Sequence, residues 1–433
     1  MGFSPLFAEL PDHWETPTLG EIVKRGGGSI QTGPFGSQLH AHDYVDDGIP
    51  SIMPVNIGDN RLIEQDIKRI TEEDAERLSK HRVQVGDIIY SRRGDVERRA
   101  IVREGQEGWL CGTGCLKVRF GEGVIDPDFA SFYLGHPAVR AWIVNHAVGA
   151  TMPNLNTGIM ERVPFVLPPL SEQRAIAGVL GSLDAKIALN RRMSRTLESL
   201  ARGLFQSWFV DFDPAPDHPH TNAAPFEPSP LGDIPQGWTV KTIGDLCDIN
   251  ASTLRKKDEL DSLEYIEISA ANRGDIESMP RYDRDDAPGR ARRRLRHGDV
   301  AISTVRPDRG AYFLALDPPA DRIASTGFAV MSPKVPYSFL YVLMTRPEMS
   351  EKLGQLADGA AYPAVKPEQI EAIEAVVPTD PAILDAFHAV VAPLLERMEQ
   401  NRQESRTLAA LRDALLPKLL GGELGAPTVG SNA

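Results

Sequence analysis

Arginines are the residues of this sequence best suited to act on a partner. Arg92, Arg93, Arg98, Arg99 and Arg103 crowd one stretch that only Asp95 and Glu97 oppose. A second crowd, Arg290, Arg292, Arg293, Arg294 and Arg296, sits just before Gly298-Asp299, and Arg306 and Arg309 follow. A guanidinium can neutralise a phosphate, and it can read guanine through two parallel bonds. A charge run alone is usually a solvated face. These runs flank the same turn twice, at Gly86-Asp87 and at Gly298-Asp299, and the recurrence favours a nucleic-acid surface.

No catalytic set accompanies them. The sequence has no phosphate-binding glycine loop ending in Lys-Ser or Lys-Thr, no Gly-x-Ser-x-Gly elbow and no His-Glu-x-x-His helix. Gly112-Thr113-Gly114 reads as a tight turn. The Asn-Pro-Pro-aromatic motif of adenine methyltransferases is absent, because Pro168-Pro169-Leu170 lacks both the asparagine and the aromatic residue. His40, His42 and Asp43 could ligate a metal, but an exposed polar loop is the better reading, and no metal site is expected. Cys111 and Cys115 stand four apart with no further ligand near, too few for a zinc site. The expectation is a chain that is not an enzyme and binds no cofactor of its own.

Composition narrows the class. A chain of 433 residues exceeds one core, so two or more domains are expected. No apolar run is long enough to cross a bilayer, the N-terminus lacks a signal peptide, and three cysteines make no disulfide framework. A cytoplasmic protein without membrane contact is expected. The net charge of −13 argues against non-specific coating of nucleic acid and leaves local basic surfaces open.

The elements that must position the arginines come in two copies. Asn190 to Leu197 returns as Asn401 to Leu408, an offset of 211. The same offset carries a seam of alternating four- and three-residue steps, Ile176, Leu180, Leu183, Ile187, Asn190, Ser194, Leu197, Ala201, Leu204 and Trp208, onto Phe387 through Leu419. Each helix could pack on its own domain. If instead they pair antiparallel, one register sets Asn190 beside Ser405 and Ser194 beside Asn401, with Ile187 beside Leu408 and Leu180 beside Leu415. That register makes Asn190, Ser194, Asn401 and Ser405 a polar layer that fixes alignment at a cost in stability. Leu183 then meets Arg412, which belongs at the rim with its stem packed. Thr379 or Asp380 caps the second helix with Pro381 at its first position, and Pro393 predicts a kink.

The flanking segments repeat as well. Trp14 maps to Trp238, Leu19–Ile22 to Ile243–Leu246, Gly86-Asp87 to Gly298-Asp299, Thr113-Gly114 to Thr326-Gly327, and Gly149–Pro153 to Gly359–Pro363. Mixed short strands and a few helices make each copy α+β. The predicted order is 1–169 first domain, 170–212 central helix, 213–234 proline-rich extended linker, 235–378 second domain, 379–421 C-terminal helix and 422–433 frayed tail. Phe205, Phe209 and Phe212 lie off the seam. They are either core or a partner surface, and docking is the preferred reading.

At this point the chain resembles the specificity subunit of type I restriction-modification systems over nearly its whole length. The residues that carry the resemblance are Gly33-Pro34-Phe35-Gly36-Ser37, Gly86-Asp87-Ile88 with Gly94, Pro168 to Gln173 with Ile176, and Leu204 to Asp213. The second half lacks the first of these motifs, and Pro378-Thr379-Asp380-Pro381 replaces the Pro-Leu-Ser-Glu-Gln start. The resemblance implies two duplicated target recognition domains joined by two long helices in a pseudo-two-fold antiparallel coiled coil. Each domain would read half of a bipartite site on double-stranded DNA. The helices would dock two methyltransferase subunits, which join motor-nuclease restriction subunits. S-adenosylmethionine, ATP and Mg would belong to those partners. DNA contacts are expected at Ser37, Gln38, Arg92, Arg93, Arg98, Arg292, Arg293, Arg306 and Arg309, and partner docking at Phe205, Phe209 and Phe212. The alternative is a protein-binding scaffold without DNA specificity.

Overall fold

Two short apolar runs, Ile88–Ser91 and Asp299–Ser303, each become an interior strand buried along its whole length. Both follow a Gly-Asp turn in which the glycine takes a positive φ, 88° at Gly86 and 84° at Gly298. A side chain there would be strained, so the turn itself selects glycine. The structure is a computed structural model that describes residues 10–149, 152–213, 225–255, 257–359 and 363–425. The middles of the Gly149–Pro153 and Gly359–Pro363 repeats, most of the linker (214–224) and the tail from 426 lie outside the described residues. The chain divides into two units, residues 1–187 with 407–433, and residues 188–406.

In the first unit the main sheet runs Gly27–Thr32, Cys115–Gly121, Ile88–Ser91, Arg99–Ile101, every neighbour antiparallel. A second sheet runs Tyr44–Val45, Lys68–Ile70, Ile49–Ile52, Leu110–Cys111, with the last pair parallel. Two helices, Pro127–Leu134 and Pro137–His146, follow the main sheet. The first starts where it does because Asp126 Oδ1 accepts the Phe129 N–H and Pro127 fills the first position.

The second unit has the same scheme. Its main sheet runs Cys247–Ile249, Phe328–Pro333, Asp299–Ser303, Tyr312–Ala315. Its second sheet again holds one parallel pair, Ser262–Ile266 beside Arg322–Ser325. Helices Tyr337–Thr345 and Pro347–Leu356 follow. One expectation needs correction. From Phe226 the expected linker is a hairpin, Phe226–Ser229 with Gly232–Pro235, not an unpaired extended segment. Ser229 Oγ closes the turn through the Leu231 N–H and the Gly232 carbonyl. A two-stranded ribbon has only edges, so its prolines lose no interior ladder bond.

The long helices span Leu170–Phe209 and Pro381–Leu420. Gln173 explains the start of the first. Its buried side chain accepts the Asp126 N–H and donates to the carbonyls of Pro168 and Val124. The copy has Leu384 at that place, packed in the core of the second unit, so an apolar lock replaces a polar one. Asp380 Oδ1 caps the second helix through the Ala382 N–H. That helix continues through Pro393 as one element, with Pro393 on its exposed side.

Candidate nucleic-acid interface

Each domain builds the same crossing of three loops. In the first, Arg92 N–H donates to Gly114 O at 2.8 Å, Leu155 N–H to Arg92 O at 2.9 Å, and Gly94 N–H to Pro153 O at 3.1 Å. In the second, Thr304 donates to Gly327 at 2.8 Å, Val365 to Thr304 at 2.9 Å, and Arg306 to Pro363 at 2.8 Å. Ser91 Oγ donates to Arg93 O and Ser303 Oγ to Val305 O, which ties both turns down alike. These bonds fix the equivalences. Arg92 stands where the copy has Thr304, Arg93 where it has Val305, and Gly94 where it has Arg306. Arg306 therefore falls inside the stretch that matches Arg92 through Arg98, opposite a glycine rather than an arginine. One extra residue separates Arg306 from the next strand, since Arg98 O accepts from Ser91 N while Ala311 O accepts from Ser303 N.

Around the first crossing, the Gly33–Leu39 turn presents Phe35, 55% exposed. Gln38 Oε1 accepts the Phe35 N–H at 3.1 Å, and Ser37 beside it is exposed. The Arg92 guanidinium stands 5.6 Å from the Phe35 ring centroid and donates through Nε to Asn154 Oδ1 and Leu155 O. That is cation–π distance, with the arginine held at its root. Arg93 is exposed. Arg98 is exposed and pairs with Asp95 at 2.9 Å. Two other members of the run face elsewhere. Arg99 is buried, donates to Ser131 O at 2.9 Å, and has its pKa lowered by desolvation. Arg103 pairs with Asp128 at 2.5 Å.

Around the second crossing, Arg306 and Arg309 line a cavity of about 450 Å³ together with Arg290, Glu267, Asn272 and Glu277. Arg292 and Arg293 do not line it. Arg292 Nε is tied to Gly289 O at 3.2 Å, and Arg293 reaches Thr253 Oγ1 at 3.4 Å, its pKa lowered by desolvation. Both sit on strand Ala291–Arg294 and do not join Arg306 in the cavity. Glu267, Asn272 and Glu277 escaped sequence reading. Single polar residues in short loops carry no pattern that links them to an arginine tens of residues away.

The polar layer residues come together within the second unit. Asn190 Nδ2 lies 2.9 Å from Glu404 Oε2 and 3.4 Å from both Ser405 Oγ and Asn401 O, and Asn401 Nδ2 lies 3.4 Å from Ser194 Oγ. In the first unit Arg412 Nη1 pairs with Asp184 at 2.8 Å, so its charge is met by the partner helix.

Phe205 and Phe209 are not a docking surface. They are buried with Trp208 in the core of the second unit, against Phe339 and Phe387 at centroid distances of 4.9–6.0 Å, and Phe212 packs on Trp238 at 5.1 Å. The helix repeat gives the reason. Adding 211 turns Phe205, Trp208 and Phe209 into Leu416, Leu419 and Leu420, which are buried in the core of the first unit. The end of each long helix is a core element, and aromatic residues there fill volume.

Comparison with known proteins shows what the chain is similar to. Residues 11–199 match the Type I restriction modification DNA specificity domain. The chain is 22% identical over 427 residues to the Type I restriction enzyme MjaIX specificity subunit of Methanocaldococcus jannaschii, covering 96% of this chain and 94% of that one. It is 22% identical over 453 residues to the HindI specificity subunit of Haemophilus influenzae, covering 87% and 95%. In fold it is similar to the crystal structure of the type I system S subunit from M. genitalium, with TM-score 0.53, 14% identity, and coverage of 95% of this chain and 98% of that one. Over nearly its whole length the chain is similar to specificity subunits of type I restriction-modification systems, and its first half matches the DNA specificity domain of those systems.

Proposed function

We propose that this chain gives a type I restriction-modification complex its DNA sequence specificity, each domain reading one half of a bipartite site. The observation that carries this is the twice-built loop crossing. Its backbone bonds are the same, and its loop side chains differ, with Arg92, Arg93 and Gly94 in one copy and Thr304, Val305 and Arg306 in the other. Phosphate contacts position a protein, whereas base edges specify a sequence. Two copies of one scaffold with different loop residues therefore suit two different half-sites. No group in the chain is assigned a catalytic step. S-adenosylmethionine, ATP and Mg would serve the partner subunits, and the complex would work in the cytoplasm.

Two methyltransferase subunits would dock on the long helices. Leu200 and Leu411 are 53% and 46% exposed. They lie off the seam yet repeat at the 211 offset, which suits two identical partners on equivalent faces. Leu200→Asp or Leu411→Asp should each cost one bound subunit when the complex is weighed by native mass spectrometry. Both subunits persisting in both variants would remove this surface. The recognition reading is tested by a domain swap. Residues 235–378 are replaced with the matching segment of a relative, and methylated adenines are mapped genome-wide. One half-site should change and the other persist. If both change, or neither does, one domain per half-site is wrong.

A further inference from the structure

The cavity of the second domain holds both signs of charge, and that bears on what it binds. Glu267, Glu277, Arg290 and Arg309 have exposed side chains lining one space, and none has a side-chain partner among the described residues. Opposite charges that border one cavity without bonding each other leave donors and acceptors free for a third body. A phosphate is a poor match, because two carboxylates would repel it. A base pair in the major groove fits better. Guanine offers O6 and N7 to a guanidinium, and cytosine offers an N4 amino group to a carboxylate.

Arg306 supplies an independent sign. Its backbone is left-handed, φ 47° and ψ 57°, and its amide is pinned to Pro363 O. The equivalent residue of the first domain is Gly94, φ 76°. Glycine holds this conformation freely and arginine does not. A strained arginine where glycine would serve is maintained for its side chain. The first domain also lacks the acid. Strand Ile49–Ile52 pairs with Leu110–Cys111 as Ser262–Ile266 pairs with Arg322–Ser325, so Met53 occupies the place of Glu267.

We propose that this cavity is the base-reading pocket of the second half-site and that it selects a guanine–cytosine pair. Arg306 and Arg309 donate to guanine, and Glu267 accepts from the cytosine amino group. The inference rests on the proposed recognition of DNA by this subunit. It is tested in the assembled complex with Arg306→Gly and Glu267→Gln, by adenine methylome and by thermal unfolding. Arg306→Gly should hold or raise the Tm, because glycine relieves the backbone. It should also relax one guanine–cytosine position of the second half-site roughly tenfold or more. Glu267→Gln should relax the same position. The first half-site should be unchanged in both. A motif unchanged in both variants, relaxation at an adenine–thymine position, or a uniform fall in methylation at every site would each overturn the pocket. A wild-type complex with no bipartite methylation motif would instead overturn the recognition reading itself.

Discussion

The two domains share a backbone plan and differ in the charges they bury. Ile88 pairs with Ile101 and Val118 in the first sheet, as Val300 pairs with Leu314 and Met331 in the second. That register aligns Asp87 with Asp299, Arg119 with Ser332, Lys117 with Val330, and Arg99 with Tyr312. In the first domain Asp87 takes both guanidinium bonds of Arg119, at 2.8 and 2.6 Å, and the Gln84 N–H. Lys117 is buried beside it and donates to the carbonyls of Lys80 and Arg82. In the second domain Asp299 keeps the backbone bond from Arg296 but meets no arginine at Ser332. Burial raises its pKa, against smaller pulls from Ser332 and Arg296. The aspartate closes the turn by accepting the N–H three residues before it, and that duty is common to both copies. The ion pair is an addition that one copy has and the other lacks.

Neutralising the two aspartates should therefore give opposite results, and this is the largest expected difference. Asp87→Asn leaves the Arg119 guanidinium without its carboxylate, with only the Arg82 carbonyl still accepting from it among the described residues. Removing one member of a buried pair is expensive, and with Arg119 28% exposed the cost should be roughly 2–4 kcal/mol. Asp299→Asn keeps the turn bond and removes a buried charge, so near pH 7 it should be neutral or stabilising. The pH dependence differs too. A raised folded pKa means that the native state holds its proton longer than the unfolded chain, whose aspartate titrates near about 3.9. Asp299 thus favours folding most below that value, and the advantage is lost as pH rises through its folded pKa. Unfolding curves of the full chain from pH 3 to 8 should show this slope flattened in Asp299→Asn. Equal destabilisation by both substitutions would mean that the buried charges do not distinguish the domains.

The same comparison separates what was legible in the sequence from what was not. The helices were legible because a seam of alternating four- and three-residue steps must be buried, and because Asn190 and Asn401 interrupt it at matching places. The Gly-Asp turns were legible because backbone conformation restricts the residue type. The end of the first helix was misread because a seam describes only the face toward the twin helix. Phe205 and Phe209 face a domain core instead, as Leu416 and Leu420 do in the copy. The arginines lie in the same loop of both copies, but which residue answers which is set by one insertion that charge patterns cannot register and hydrogen-bonded ladders can. The cavity could not be found in advance, since Glu267, Arg290 and Arg306 meet only through the fold.

A smaller effect should sharpen the comparison at the helices. Asn190 and Asn401 are copies, both buried, and the Oδ1 of each has no hydrogen-bond partner among the described residues. Their amino groups differ. Asn190 Nδ2 reaches Glu404 at 2.9 Å, whereas among the described residues Asn401 Nδ2 has only the longer contact to Ser194, at 3.4 Å. The repeat explains this, since the residue 211 before Glu404 is Met193, which offers no carboxylate. Replacing either asparagine with leucine removes an orphaned buried acceptor, worth about 1–3 kcal/mol when unpaired. Asn190→Leu also gives up a bond to a charged group, and Asn401→Leu does not. Asn401→Leu should therefore be the more stabilising, by about 1 kcal/mol, in chemical denaturation of the full chain. The double variant should fall short of the sum, because each asparagine borders the other and the two cannot act independently. Equal effects of the two single changes would mean that Glu404 does not support Asn190 in solution, and that the layer is symmetric after all.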